Sequence, residues 1–305
     1  MLSFITRRLV ISVITLLAVV TITFFMVRAM PGNPFASEKN VPEEIRMTQM
    51  AKYGFDKPIL EQYRLFMKNL FLGDLGLSLK YKDWTVNEII AMSLPVSAFL
   101  GFIALVFAVF IGVVAGAFAA AKRNSIIDYS TMAGVVLGVC IPNFVIAPVL
   151  ILLFSFQIKL FPPGGWGTVS TLVLPAFTLS LPYIAYISRL TRAGMLEALN
   201  KDYIRTARAK GLPSSKVTFE HALRNSIIPV VTFLGPAAAG ILTGSFVVEY
   251  IFNIPGLGIH FVNAVQNKDY FLISGIVVVD SALLIFFNLL VDISYAYIDP
   301  RVKVE

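Results

Sequence analysis

Residues 9–27 read LVISVITLLAVVTITFFMV, nineteen residues without one charged side chain. A bilayer whose hydrocarbon is roughly 30 Å thick needs about 20 such residues in a helix to cross it. Extended backbone facing lipid would leave its amides unpaired, so the run must be helical. The basic pair Arg7–Arg8 before it resembles the start of a signal peptide. No small-residue cleavage site follows, and the run is long, so it reads as an uncleaved anchor.

Working outward, the same composition recurs five times. The spans fall near 9–28, 96–121, 130–157, 171–190, 227–250 and 271–297. Hydrophobic residues make up 57% of the 305-residue chain and charged residues 14%, against about 25% charged in a soluble domain. Mean hydropathy is +0.79. The expectation is an all-α integral membrane protein with six transmembrane helices. Prolines 142, 148, 175, 182, 229 and 236 fall in or beside spans and should bend them. Gly112–Gly116, Gly134–Gly138 and Gly240–Gly244 space small residues for close helix approach. Cys140 stands alone in an apolar run and is expected to be a small buried hydrophobe.

The net charge of +7 matters through its placement. With the N-terminus inside, fourteen of the 25 Lys and Arg residues fall on the inner side, eight of them in the 189–226 loop. Most of the remainder lie in the long 28–95 segment, where acidic residues nearly cancel them. Cytoplasmic loops collect Lys and Arg, so both termini are expected in the cytoplasm. Three parts follow: residues 1–28, the N-terminus and first span; 29–95, an extracytoplasmic helical segment; and 96–305, a five-helix core with a cytoplasmic loop at 190–226. Within 29–95, Ile59, Leu60, Tyr63, Phe66, Met67, Leu70 and Phe71 recur at helical spacing. Thr85 to Glu88 has the form of a capping box. The segment reads equally well as a structural lid or as a docking surface.

Chemistry is sparse. His221 and His260 fall on opposite sides of the membrane, which leaves no His-based metal centre, and no catalytic motif is present. Gly235–Gly240 lacks the Lys and Ser/Thr of a phosphate loop. No nucleotide, metal or other cofactor is therefore expected on this chain, nor is nucleic acid a partner. Asp280 is the candidate for a translocation path, since carboxylates inside spans tend to face a wet interior; a helix-packing hydrogen bond is the equal alternative. Glu249 and Asp292 lie nearer span ends and read as interfacial.

The loop itself is structured. Residues from about 195 to 210 read as one helix that Gly211 and Pro213 stop, and Ser214 is placed to cap a second helix running to Pro229. Lys201, Arg205 and Arg208 share one helix face; Ile204, Ala207 and Gly211 share another that is small and apolar. Such a helix can slot into a groove on another protein, or can be only inner-side charge on a surface helix.

RTARAKGLP (205–213) followed by HALRNSIIP (221–229) resembles the cytoplasmic EAA loop of ATP-binding-cassette importer permeases. Ala207, Gly211 and Leu223 match the pattern by position. Arg205, His221 and Arg224 stand where it has Glu, Ile and Pro, a variant similar to that of the dipeptide/oligopeptide branch. MLSFITRRL, FFMVRAMPGNPF, GDLGLSLKYKDWTVNEII, IPGLG and YIDPRVK resemble that branch too. The resemblance implies a type I importer permease fold in a bacterial inner membrane. It implies a second homologous permease subunit, two cytoplasmic ATPases carrying ATP and magnesium, and an extracytoplasmic peptide-binding protein. The ATPase-coupling residues would be Ile204, Arg205, Thr206, Ala207, Arg208, Lys210, Gly211, Leu212, His221 and Leu223. Oligopeptides are the expected cargo; dipeptides, nickel complexes or other small solutes are the alternative within the same machine. An ion-coupled carrier titrating at Asp280 is the remote competitor, and it leaves the basic loop idle.

Overall fold

A computed structural model describes residues 2–31, 47, 50, 51, 53–242 and 246–298. The regular elements are helices: α1 (Leu2–Arg28), α2 (Ile59–Phe71), α3 (Val86–Ala121), α4 (Ile126–Cys140), α5 (Asn143–Gln157), α6 (Val169–Ala198), α7 (Asp202–Ala209), α8 (Ser214–Ser226), α9 (Ile228–Leu242), α10 (Phe246–Ile251), α11 (Leu257–Asn267) and α12 (Tyr270–Ile298). Four of them, α1, α3, α6 and α12, are long and apolar enough to cross a membrane alone. Two bent pairs, α4–α5 and α8–α9, raise the number to six if each is one span.

The bends have chemical causes. The expected straight span at 130–157 is instead broken by 113° between α4 and α5. Pro142 lacks an amide hydrogen and holds Ile141 extended, at φ −90° and ψ 121°, which ends α4 there. Past Pro148, α5 relaxes into a π-helical turn at Ile151–Gln157. Pro229 lies at the 50° bend between α8 and α9. Pro175 and Pro182, by contrast, sit inside an unbroken α6. Within the expected fifth span, helix is described over Ile228–Leu242 and Phe246–Ile251.

The α3–α6 contact is the spine of the bundle, and glycine makes it. A side chain on Gly116 would collide with the Ser188 carbonyl and sit 2.7 Å from Thr191 Cβ; one on Gly112 would sit 2.8 Å from Ile187. Gly240 packs on the Tyr183 hydroxyl. Gly134, expected to serve the same purpose, has nothing within 4 Å, and Gly244 lies outside the described residues. Cys140 is exposed rather than buried, on a stretch of α4 where Val136, Leu137 and Val139 are exposed as well.

The bundle has two distinct ends. Arg28 at the close of α1 stacks over Phe55, Tyr270 and Phe271 and donates through Nε to Gln62 Oε1 at 3.0 Å. The start of α3 joins them through Val86, Ile89 and Ile90. The capping box forms as expected: Thr85 Oγ1 accepts from Glu88 N at 3.2 Å, and Thr85 N donates to Glu88 Oε2 at 2.9 Å. Buried Asp269 caps α12 through Leu272 N at 3.2 Å, and also accepts from Ser78 Oγ and Leu79 N, which pins the segment before α3. At the opposite end Arg8 pairs with Asp292 at 2.9 Å, so α1 begins where α12 finishes. The α7–α8 hairpin lies at that end as well, under the close of α3.

Candidate functional site

The expected single helix from 195 to 210 is two. α6 stops at Ala198, Lys201 is extended at ψ 155°, and α7 starts at Asp202. The break is local chemistry: Asn200 Nδ2 donates back to Leu196 O at 2.9 Å, competing with the backbone ladder. The stop at the far end is as read from sequence. Gly211 is left-handed at φ +74°, its amide reaches Arg208 O at 2.9 Å, and Leu212 N reaches Ala207 O at 3.3 Å. Pro213, not Ser214, takes the capping position of α8. Its fixed φ of −63° suits that place, and Ser214 becomes the first helical residue. Within α8 the Val217–Ala222 segment is a π-helical turn, a feature with no signature in the residue pattern.

The two faces of α7 part company. Ile204 is 0% exposed and Ala207 7%. Both are packed with Val217 and Ala222 of α8 against Ala117 and Ala120 of α3 and Met195 and Ala198 of α6, with Leu212 and Leu223 at the margin. The small apolar face expected to dock into a partner is therefore the face that roots the hairpin in its own chain. What remains outside is Tyr203, Arg205, Thr206, Arg208, Lys210 and Gly211. His221 and Leu223 are half-buried.

Local carboxylates neutralise only part of this charge. Arg205 reaches Asp202 at 3.4 Å, Lys201 reaches Glu197 at 2.9 Å and Lys216 reaches Glu220 at 3.9 Å. The hydrogen bond that Lys201 donates to Glu197, with the charge of that carboxylate, holds the Lys201 ammonium above its usual range. Arg208, Lys210 and Arg224 form no ion pair among the described residues. The hairpin therefore presents unmatched positive charge on a rigid, internally packed base.

Asp280 is half-buried in α12, and its Oδ1 finds no hydrogen-bond partner among the described residues. Glu249 is fully buried, with Ser97 Oγ and Gly258 N donating to its Oε2. Asp292 is 27% exposed and tied to Arg8. Asp128, absent from the sequence reading, is buried and held by Arg192. Its signal was legible in Ser125–Ile–Ile–Asp128, a cap followed three residues on by an acid.

The chain matches two family profiles: the binding-protein-dependent transport system inner membrane component over residues 112–304, and the N-terminal membrane component of the same systems over residues 1–98. It is 46% identical to the oligopeptide transport system permease protein OppB of Haemophilus influenzae and 47% to that of Salmonella typhimurium, each over 99% of this chain and 100% of the relative. It is 43% identical to the dipeptide transport system permease protein DppB of Bacillus subtilis, over 95% of this chain and 94% of the relative.

Proposed function

The chain belongs to the binding-protein-dependent transport system inner membrane components, and from that premise we propose that it is the oligopeptide-translocating permease of an ATP-driven importer, moved through the α7–α8 hairpin. In this reading the hairpin end is cytoplasmic, as are both termini, and the segment 29–95 faces outward. Two ATPase subunits seat on the hairpin, a second homologous permease completes the pathway, and an extracytoplasmic binding protein delivers the peptide. The chain itself needs no cofactor; ATP and magnesium belong to the partners.

The observation that carries the reading is the rooting of the hairpin. Ile204, Ala207, Val217 and Ala222 interlock with the ends of α3 and α6, so a displacement of the hairpin is a displacement of those two spans. Packed interfaces move as units rather than deforming smoothly. The docking surface is then the outward one, Tyr203, Arg205, Thr206, Arg208 and Lys210, with Gly211 setting the turn. The greater likeness to oligopeptide permeases than to the dipeptide relative supports peptides longer than two residues as cargo. Asp280 stands on the candidate path.

The test is uptake and ATPase retention in the reconstituted complex. The Arg205→Glu/Arg208→Glu double variant should insert normally, lose its ATPase subunits during purification and lose uptake. Retention of both by that variant would count against the hairpin as the coupling element. Competition by peptides of graded length for uptake separates the cargo question from the coupling one.

A further inference from the structure

The motif Ile254-Pro-Gly-Leu-Gly258 closes around one carboxyl group. Glu249 and Ser97 are each 0% exposed. Ser97 Oγ donates to Glu249 Oε2 at 3.0 Å and accepts from Leu257 N at 2.8 Å. Gly258 N donates to the same Oε2 at 2.7 Å, and Ile254 N donates to the Glu249 carbonyl at 2.9 Å. A side chain on Gly256 would strike Oε2 and lie 2.5 Å from Ser97 Oγ, and one on Gly258 would lie 2.6 Å from Phe246 Cα. The glycines are there because the loop backbone lies directly on the acid.

The other oxygen is unaccounted for. Glu249 Oε1 is buried and has no partner among the described residues. Among the described residues no cation pairs with the group. Of the elements packed on α10, α5 carries no ionisable residue. The His260 ring of α11 turns to Tyr81 at 5.7 Å. On α6, Arg192 is committed to Asp128, Arg189 stacks on Tyr186, and Glu197 is exposed and paired with Lys201; Tyr183 is neutral. Glu88 of α3 caps its own helix. Asp280 of α12 is another acid rather than a cation, and its Oδ1 is likewise buried without a partner among the described residues. A sealed carboxylate with one bare oxygen and no cation beside it is less stable than its neutral acid.

We infer that Glu249 is a proton-binding site: the neutral acid, with a resident proton on its unpartnered side, fastens the 254–258 loop to α3. Ionisation would leave a sealed negative charge beneath the loop, met only by the Ser97 and Gly258 donors on Oε2. Glu249 is thus a positioning residue for the outer junction between α9 and α12.

The test is infrared spectroscopy and uptake with the assembled transporter in liposomes at neutral pH. The wild type should show a protonated-carboxyl C=O band that Glu249→Gln lacks. That neutral isostere should keep uptake to within about twofold, whereas Glu249→Ala should lower it about tenfold or more, the scale of buried donors left unsatisfied. An unchanged carbonyl region in Glu249→Gln would overturn the inference. So would a Glu249→Gln transporter as impaired as Glu249→Ala, failure to assemble included, or full uptake by Glu249→Ala.

Discussion

Arg192 grips Asp128 through two parallel hydrogen bonds, Nε to Oδ1 at 2.6 Å and Nη2 to Oδ2 at 2.7 Å. Asn124 N adds a third bond to Oδ2 at 3.0 Å. The pair ties the first turn of α4 to the last third of α6, one turn above the hairpin root. The Asp128 side chain is 3% exposed and that of Arg192 26%, so the carboxylate is deeply placed while the guanidinium still meets solvent. Asp128→Asn should destabilise by about 2–4 kcal/mol, less than a fully buried pair because of that access. In thermal unfolding of the solubilised complex, Asp128→Asn/Arg192→Gln should lose less than the two single variants added together. Additivity would show that the bond contributes nothing beyond its parts.

Glycine gives a paired prediction. Gly116→Ala places a methyl against the Ser188 carbonyl and 2.7 Å from Thr191 Cβ, and should lower stability by about 1–3 kcal/mol through overpacking. Gly134→Ala meets nothing within 4 Å on a helical backbone, and should be neutral or stabilising by up to about 1 kcal/mol. Equal melting temperatures for the two variants would contradict the close α3–α6 approach.

Sequence made the membrane class, the α3, α6 and α12 spans and the Gly211 stop legible, because apolar length and a left-handed turn residue are local properties. It misplaced Ile204 and Ala207. A small apolar face looks the same whether it meets a partner or its own chain, and only the third dimension brought Ala117, Ala120 and Met195 onto it. The burial of Glu249 was hidden for the same reason: its Ser97 donor lies 152 residues away in sequence. The 113° break at Pro142 was half visible, since proline marks the place of a bend and not its size. Gly244 and the C-terminal YIDPRVK lie at least in part outside the described residues.

The hairpin's two faces predict opposite phenotypes. Ile204→Ala removes a fully buried side chain and should cost about 2–5 kcal/mol through the cavity it leaves. Arg208→Ala, exposed and without an ion pair among the described residues, should change stability by no more than about 0.5 kcal/mol. Uptake and ATPase association should fall in Arg208→Ala despite the unchanged melting temperature. A silent Arg208→Ala with full uptake would remove that residue from the docking surface.

His260 should make the end of the bundle away from the hairpin acid-sensitive. Burial holds its imidazole below the ordinary range, its Nδ1 has no partner among the described residues, and its ring lies edge-on to Tyr81 at 5.7 Å. The folded protein therefore binds this proton less readily than the unfolded chain, whose histidine titrates near about 6.5. The sign follows from linkage: stability is full above that value and falls as pH drops below it, down to the depressed folded value. His260→Phe keeps the edge-on ring contact and removes the proton site. The melting temperature of the wild-type complex should decline between neutral and mildly acidic pH, and the His260→Phe profile should be flatter over the same interval. Parallel profiles would place the acid sensitivity on another group and leave His260 a packing residue alone.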